Sequence, residues 1–204
     1  MKHIVVTRML YTDNDRFFKR LELYKKYTLK SLKEQSVHNF DIAVLCNRKH
    51  ADAIKELGVI PFFVGENNFG QKDKTWHCKV PWSEIEGLGK YDIQSNIDSD
   101  DWVCHKYIEK IQELSVGDKS IHIHFQPLLF NLKTQEIKAM RNRYDSNNGS
   151  AFYSLYQPDK TNYIYIGQDG HRRMQNYADK TIIICEGYAY VGIHDDNDST
   201  TMNA

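Results

Sequence analysis

The 204 residues suffice for one domain with its own core, needing neither disulfides nor a structural metal to staple it. Lysine plus arginine (27) balance aspartate plus glutamate (27), so no long-range field draws the chain to nucleic acid or to an anionic membrane. The four cysteines, Cys46, Cys78, Cys104 and Cys185, form no Cys-x-x-Cys pair, which argues against a zinc knuckle or redox dithiol; the first apolar run is too short for a signal peptide or a membrane span, and the expectation is a soluble, cytoplasmic protein.

His3 to Met9 is a β-branched run of the kind that forms a buried parallel strand. Phe17, Leu21, Tyr24, Thr28 and Leu32 then recur every three or four residues up to Gln35 and predict an amphipathic helix. Phe40 to Cys46 predicts a second strand, Ala51 to Leu57 a short helix stopped by Gly58, and Val59 to Val64 a third strand. Strand, helix, strand, helix, strand is the opening of a doubly wound parallel sheet. Glu66 to Lys90 has no clean period and reads as a loop with one or two short helices. Ile93 and Ile97 fit a buried strand, and Trp102 to Leu114 carries Val103, Tyr107, Ile108, Ile111 and Leu114 at helical spacing. Ser120 to Phe130 alternates at period two, Asn131, Lys133 and Thr134 make a turn, and Glu136 to Arg143 is its expected hairpin partner. Ala151 to Tyr156, Tyr163 to Ile166, Thr181 to Cys185 and Tyr188 to Ile193 are further short strands, with a helical turn after Gly170. The second half is therefore expected to be mixed or antiparallel, and no repeat or linker divides the chain.

The most informative stretch runs from Tyr91 to Asp101, where an apolar alternation ends in Asp98, Asp100 and Asp101. An Asp-x-Asp triplet alone says little: 17 aspartates in 204 residues give about 1.4 by chance (17 × 17 / 204), and the chain has three, at Asp13/Asp15, Asp98/Asp100 and Asp196/Asp198. What singles out Asp98/Asp100 is the strand before it and the helical pattern after it. Such a loop lies at the carboxyl edge of an open α/β sheet, where ligands bind. Hard divalent ions take oxygen ligands, and Mg²⁺ or Mn²⁺ commonly uses one or two carboxylates plus substrate phosphates. The plainer alternative is that Asp100 or Asp101 caps the helix expected to start at Trp102.

Taken together, the strand Ile4-Val5-Val6, the helix with Ser31-Leu32-x-x-Gln35, the strand from Phe40 to Leu45 and the motif Ile97-Asp-Ser-Asp-Asp101 resemble the nucleotide-sugar-dependent glycosyltransferases of the type A fold. Val-Thr-Arg-Met at Val6 to Met9 and Asn96-Ile-Asp-Ser-Asp-Asp101 are more narrowly similar to the rhamnosyltransferase-like family, with Asn96 where that family typically has arginine. The resemblance implies an α/β, single-domain, Rossmann-like mixed sheet flanked by helices, covering residues 1–194, with 195–204 as a flexible acidic tail. It implies a metal-dependent transfer of sugar from a nucleotide-diphosphate donor to a carbohydrate or other hydroxyl acceptor. Thr7, Arg8, Asn96 and Asp98 are then the expected donor-binding residues, and Asp98, Asp100, Asp101 and His194 the expected ligands of Mn²⁺ or Mg²⁺. Gly167-Gln168-Asp169 stands where inverting enzymes of this fold carry an acidic pair at a helix start, which makes Asp169 the expected general base.

Plainer roles stand beside these. Arg8 can simply pair with a carboxylate, Asn47 can open a turn, and a carboxylate next to Gly187, Glu186, is more often structural than catalytic. His122 and His124 share a strand face but lack a third zinc ligand. The same aspartates would serve a metal-dependent phosphohydrolase or nucleotidyltransferase, distinguished by its products. A non-catalytic nucleotide-sugar-binding domain would keep the fold without turnover. The tail from Asp195 to Ala204 is expected either to fray or to order over bound donor as a lid.

Overall fold

The computed structural model describes residues 1–11, 13–64, 85–86, 89–139, 152–159, 171–185 and 187–193. The chain opens with β1 (His3–Met9) and then a long helical unit of three consecutive pieces, α1 (Asn14–Leu23), a π-helical segment (Tyr24–Leu29) and α2 (Lys30–Lys33). Asp13 starts it by accepting the Arg16 amide at 2.7 Å, so this member of the Asp13/Asp15 triplet is a helix cap. β2 (Asp41–Cys46), α3 (Ala51–Lys55) and β3 (Ile60–Val64) follow, and the Asn47 side chain accepts the Lys49 amide to open the single turn between β2 and α3. After β4 (Ile85–Glu86) come β5 (Ile93–Asn96), β6 (Trp102–Val103) and α4 (Tyr107–Leu114). The remaining elements are β7 (Ile121–Phe125), β8 (Leu128–Asn131), β9 (Ile137–Ala139), β10 (Tyr153–Tyr156), a 3₁₀ stretch (His171–Tyr177), β11 (Lys180–Ile184) and β12 (Ala189–Ile193).

Among the described residues eight strands form the main sheet in the order β11-β7-β10-β5-β1-β2-β3-β4. β1 pairs in parallel with both β2 and β5, and β2 with β3, as the alternating strand–helix pattern requires. β10 is antiparallel to both β5 and β7, which makes the sheet mixed beyond β5. A second sheet, β6-β12-β8-β9, includes the predicted hairpin of β8 and β9. Two expectations are corrected. The period-two run from Ser120 to Phe130 is two strands in different sheets, broken around Gln126 and Pro127. The helix predicted from Trp102 begins at Tyr107, because Trp102 and Val103 pair with Tyr190 and Ala189 as β6. Neither Asp100 nor Asp101 caps it; its first residue follows Lys106. The segment Tyr163 to Ile166 lies outside the described residues, as does most of Glu66 to Lys90.

Side-chain alternation gives the main sheet two distinct faces. On one, Val5, Ile93, Ile121, Ile123 and Phe125 pack against Leu32, Tyr107, Ile108 and Ile111 of the helices, while Met9 and Val44 meet Phe17, Leu21 and Tyr24. On the other, Ile4, Val6, Ala43, Leu45, Tyr153 and Leu155 meet Met174 of the 3₁₀ stretch. Trp102 ties the second sheet to the helical unit, stacking on Tyr190 at 5.6 Å and standing 5.6 Å from Tyr27. Cys46, Cys104 and Cys185 are free thiols. Among the described residues no helix is long and apolar enough to cross a membrane.

Candidate active site at the carboxyl edge of β5

β5 delivers the acidic segment. Its last residue, Asn96, sits in one register row with Val6 of β1, Tyr153 of β10 and, one strand further, His124 of β7. Arg8 emerges two residues beyond Val6 on that same face, above Asn96, whereas Thr7 points to the helix-covered face and is fully buried. The chain leaves β5 through Ile97, whose amide donates to the Val6 carbonyl at 3.3 Å, and then turns over Asp98 to Asp101. Arg8, Asn96, Asp98 and Tyr153 therefore cluster at one point of the sheet edge.

The electrostatics follow from burial. The Asp98 carboxyl is pushed up, first by desolvation and then by Asp100; Arg8, Arg20 and a hydrogen bond from the Asn96 side chain pull the other way. Asp101 is pushed up well above the ordinary value by its burial and by the charges of Asp100 and Asp98, opposed by a hydrogen bond from the Gly192 backbone. Tyr153 is raised to about 12, chiefly by burial, with Arg8 opposing and Asp98 adding. Three carboxylates crowded into one turn cannot all be charged cheaply. Two arginines, Arg8 and Arg20, supply the compensation that the chain itself provides.

Several groups fix the turn. Arg20 Nη1 donates to Asp100 Oδ2 at 2.5 Å. The Thr28 hydroxyl donates to the Asp101 carbonyl at 2.6 Å and reaches the Asp98 carbonyl at 3.2 Å. From the other side Gly192 of β12 donates its amide to Asp101 Oδ1 at 3.1 Å. A Cβ at Gly192 would collide with the Asp100 carbonyl oxygen, so β12 can approach this closely only with glycine there. Downstream, Ser31 Oγ accepts the Val103 amide at 3.3 Å, and Gln35 donates to the Cys104 carbonyl at 2.8 Å while accepting the Ile108 amide at 2.9 Å. The Ser-Leu-x-x-Gln segment is thus a clamp on the chain that leaves the acidic turn.

Sequence reasoning singled out Thr7, Arg8, Asn96, Asp98, Asp100 and Asp101, and the structure brings all but Thr7 to one face of the edge or to the turn above it. Asp169 and His194 lie outside the described residues, as does the tail from Asp195. Gly192, two positions before His194, is nevertheless in contact with Asp100 and Asp101. Arg20, Thr28, Gly192 and Tyr153 were not foreseen. Thr28 stands on the apolar stripe of the predicted helix and is the one polar member of it, which was a usable signal. Among the described residues no three His, Cys, Asp or Glu side chains converge in a group that could hold a metal ion. The donors present are carboxylate oxygens, which suit a hard divalent ion whose shell is completed by a ligand.

Solved structures with this architecture include S. aureus TarS residues 1–349, at a TM-score of 0.58 and 12% identity over 94% of this chain and 60% of that one. The complex of the same protein with UDP-GlcNAc matches at a TM-score of 0.57 and 12% identity over 97% and 60%, and its complex with UDP at 0.55 and 12% over 95% and 61%. The chain therefore shares the fold of TarS. It belongs to the family described as "Putative rhamnosyl transferase", whose model matches residues 4–204. The chain spans about 60% of the length of the TarS 1–349 structures it resembles. No curated protein matches it significantly.

Proposed function

We propose that the protein transfers a sugar from a nucleoside-diphosphate donor to a hydroxyl acceptor, with the donor diphosphate over the Asp98–Asp101 turn. The observation that carries this reading is the placement of that turn at the carboxyl end of β5, beside Arg8 and Asn96, in a chain of this family and fold. TarS, which shares the fold, has been crystallised with UDP-GlcNAc and with UDP.

In this reading Asn96 and Asp98 hold the nucleoside end of the donor, Thr7 supports β1 beneath it, and Arg8 brings positive charge toward the diphosphate. Asp100, with Asp98, Asp101 and His194, is the set that would hold Mn²⁺ or Mg²⁺, which when bound supplies charge neutralisation to the departing nucleoside diphosphate. Asp169 takes the proton from the acceptor hydroxyl as it attacks from the side opposite the diphosphate, so the anomeric configuration inverts. Residues from Asp195 onward close over the donor and keep water from it.

Calorimetric titration with UDP, UDP-GlcNAc and nucleoside-diphosphate rhamnose, each in Mn²⁺ and in EDTA, tests the reading. The expected result is donor binding that needs the metal and is lost in Asp100→Asn, a variant that still unfolds in one cooperative transition. Equal affinity in EDTA would remove the metal from the scheme, and no binding by any nucleotide would remove the scheme itself.

A further inference from the structure

The long helical unit is not one regular α-helix, and the irregular piece carries a residue that reaches the backbone of the acidic turn. A π turn closes i→i+5 hydrogen bonds and so takes up one more residue than an α turn, shifting the face that follows it relative to the face before it. Here the π segment Tyr24–Leu29 lies between Arg20, which holds the Asp100 side chain, and Ser31 and Gln35, which hold the chain from Val103 to Ile108. Within it stands Thr28, fully buried, its hydroxyl at 2.6 Å from the Asp101 carbonyl and 3.2 Å from the Asp98 carbonyl. Asp98 and Asp101 are also joined to each other, amide to carbonyl, at 3.4 Å. They are the two ends of a four-residue turn whose inner residues are Ser99 and Asp100. One hydroxyl proton thus serves both ends of the turn that presents the carboxylate, the shorter bond taking the larger share.

We propose that Thr28 is the positioning residue of the Asp98–Asp101 turn, delivered by the π segment, and that its hydroxyl sets where the Asp100 carboxylate stands for the donor diphosphate. The part concerning the donor rests on the proposed function; the part concerning the turn does not. A buried threonine that merely fills space would be replaceable by valine, which has nearly its shape, without effect on the turn. A positioning hydroxyl would be replaceable by serine instead.

The experiment compares Thr28→Val, Thr28→Ser and, as a graded variant of similar size with a weak donor, Thr28→Cys. Native-state hydrogen exchange is followed in the ligand-free protein at the Asp101 and Val103 amides, with Val44 of β2 and Ile111 of α4 as references. Thr28→Val should exchange about tenfold faster at Asp101 and Val103 with Val44 and Ile111 unchanged, Thr28→Ser should match the wild type, and Thr28→Cys should fall between. Wild-type exchange at Asp101 in Thr28→Val, an increase shared equally by Val44 and Ile111, or an equal effect of serine would overturn the proposal. If Thr28→Val does not fold, the serine–cysteine comparison at the same amides decides alone. In parallel, UDP affinity in Mn²⁺ should weaken about tenfold in Thr28→Val and return in Thr28→Ser; an unchanged affinity beside a wild type that binds UDP would also overturn it. A wild type that binds no UDP would refute the glycosyltransferase reading, and hydrogen exchange would still decide the role of Thr28.

Discussion

Arg20 on α1 and Asp100 in the turn after β5 stand 80 positions apart in sequence and 2.5 Å apart in space, with their side chains only 7% and 15% exposed. A pair this enclosed is costly to break from one side, because the remaining charge loses water and partner together. The two sides are not equivalent. Without Arg20 three crowded carboxylates keep Arg8 as their nearby cation, whereas without the Asp100 charge Arg20 still feels Asp98 and Asp101. Arg20→Met should therefore lower the unfolding free energy by about 3 kcal/mol and Asp100→Asn by clearly less. Urea unfolding of both single variants and the double variant measures this, and a coupling energy near zero would show the pair to be energetically idle.

Gly192→Ala is predicted to be far more damaging than an exposed Gly→Ala change. The added methyl meets backbone, the Asp100 carbonyl, rather than a side chain able to swing away. Either β12 withdraws and the Gly192 amide leaves Asp101, or the acidic turn moves. Overpacking of this kind costs about 1–3 kcal/mol. The same variant should lose metal-dependent nucleotide binding, and retention of both stability and binding would show that β12 can shift without consequence.

The parallel opening of the sheet was legible because β1, β2 and β3 are apolar runs separated by amphipathic helices, and Asp98 to Asp101 could be placed at a strand end for the same reason. What escaped was set by tertiary pairing. Trp102 and Val103 carry a helical spacing with Tyr107 and Ile108, but their partners Tyr190 and Ala189 lie nearly ninety positions away and turn them into strand. Gln126 and Pro127 interrupt an alternation that otherwise looks continuous, so the change of sheet was invisible to the pattern. The carboxylates were visible as a cluster; Arg20, whose spacing from them has no local signature, was not. The Ser-Leu-x-x-Gln segment could be noted as a pattern, yet its reason, the bonds to Val103, Cys104 and Ile108, exists only once the helix and the turn are packed together.

Gln35 offers a test of that clamp. It is 2% exposed and its amide satisfies the Ser31 and Cys104 carbonyls and the Ile108 amide at the start of α4. Gln35→Leu keeps comparable bulk and leaves the last two without this partner, at a cost of about 2 kcal/mol or more. Thermal unfolding should report it, with faster hydrogen exchange at Ile108 than at Val44. A variant as stable as the wild type would mean that water or another group replaces the amide.

The proposed general base is checked by Asp169→Asn. Proton transfer by a placed base contributes about 10²–10⁴-fold, so turnover should fall by that order while nucleotide affinity in Mn²⁺ stays within about twofold of the wild type. The product of the wild-type reaction should carry the anomeric configuration opposite to that of the donor. Near-normal turnover in the variant, or a product of retained configuration, would remove Asp169 from this role.

His122 makes the fold sensitive to mild acid. It is 4% exposed on β7, neither ring nitrogen has a hydrogen-bond partner among the described residues, and burial, with a smaller contribution from His124, lowers its pKa to about 4 from an ordinary 6.5. The sign is fixed by proton counting. Above pH 6.5 the ring is neutral in folded and unfolded chains alike and contributes no pH dependence. Between 6.5 and 4 the unfolded chain takes up a proton that the folded one refuses, so stability falls as pH falls, by about 1.4 kcal/mol per pH unit for this one group. Asp98 and Asp101, whose raised values make the folded chain hold protons longer, act in the opposite direction. A difference measurement removes them: the unfolding free energy of the wild type minus that of His122→Gln, taken in urea from pH 7.5 to 4.5, should be flat above 6.5 and decline below it. A flat difference across the whole range would mean that the folded protein admits a proton to His122, and that the ring is not sealed from water as its burial indicates.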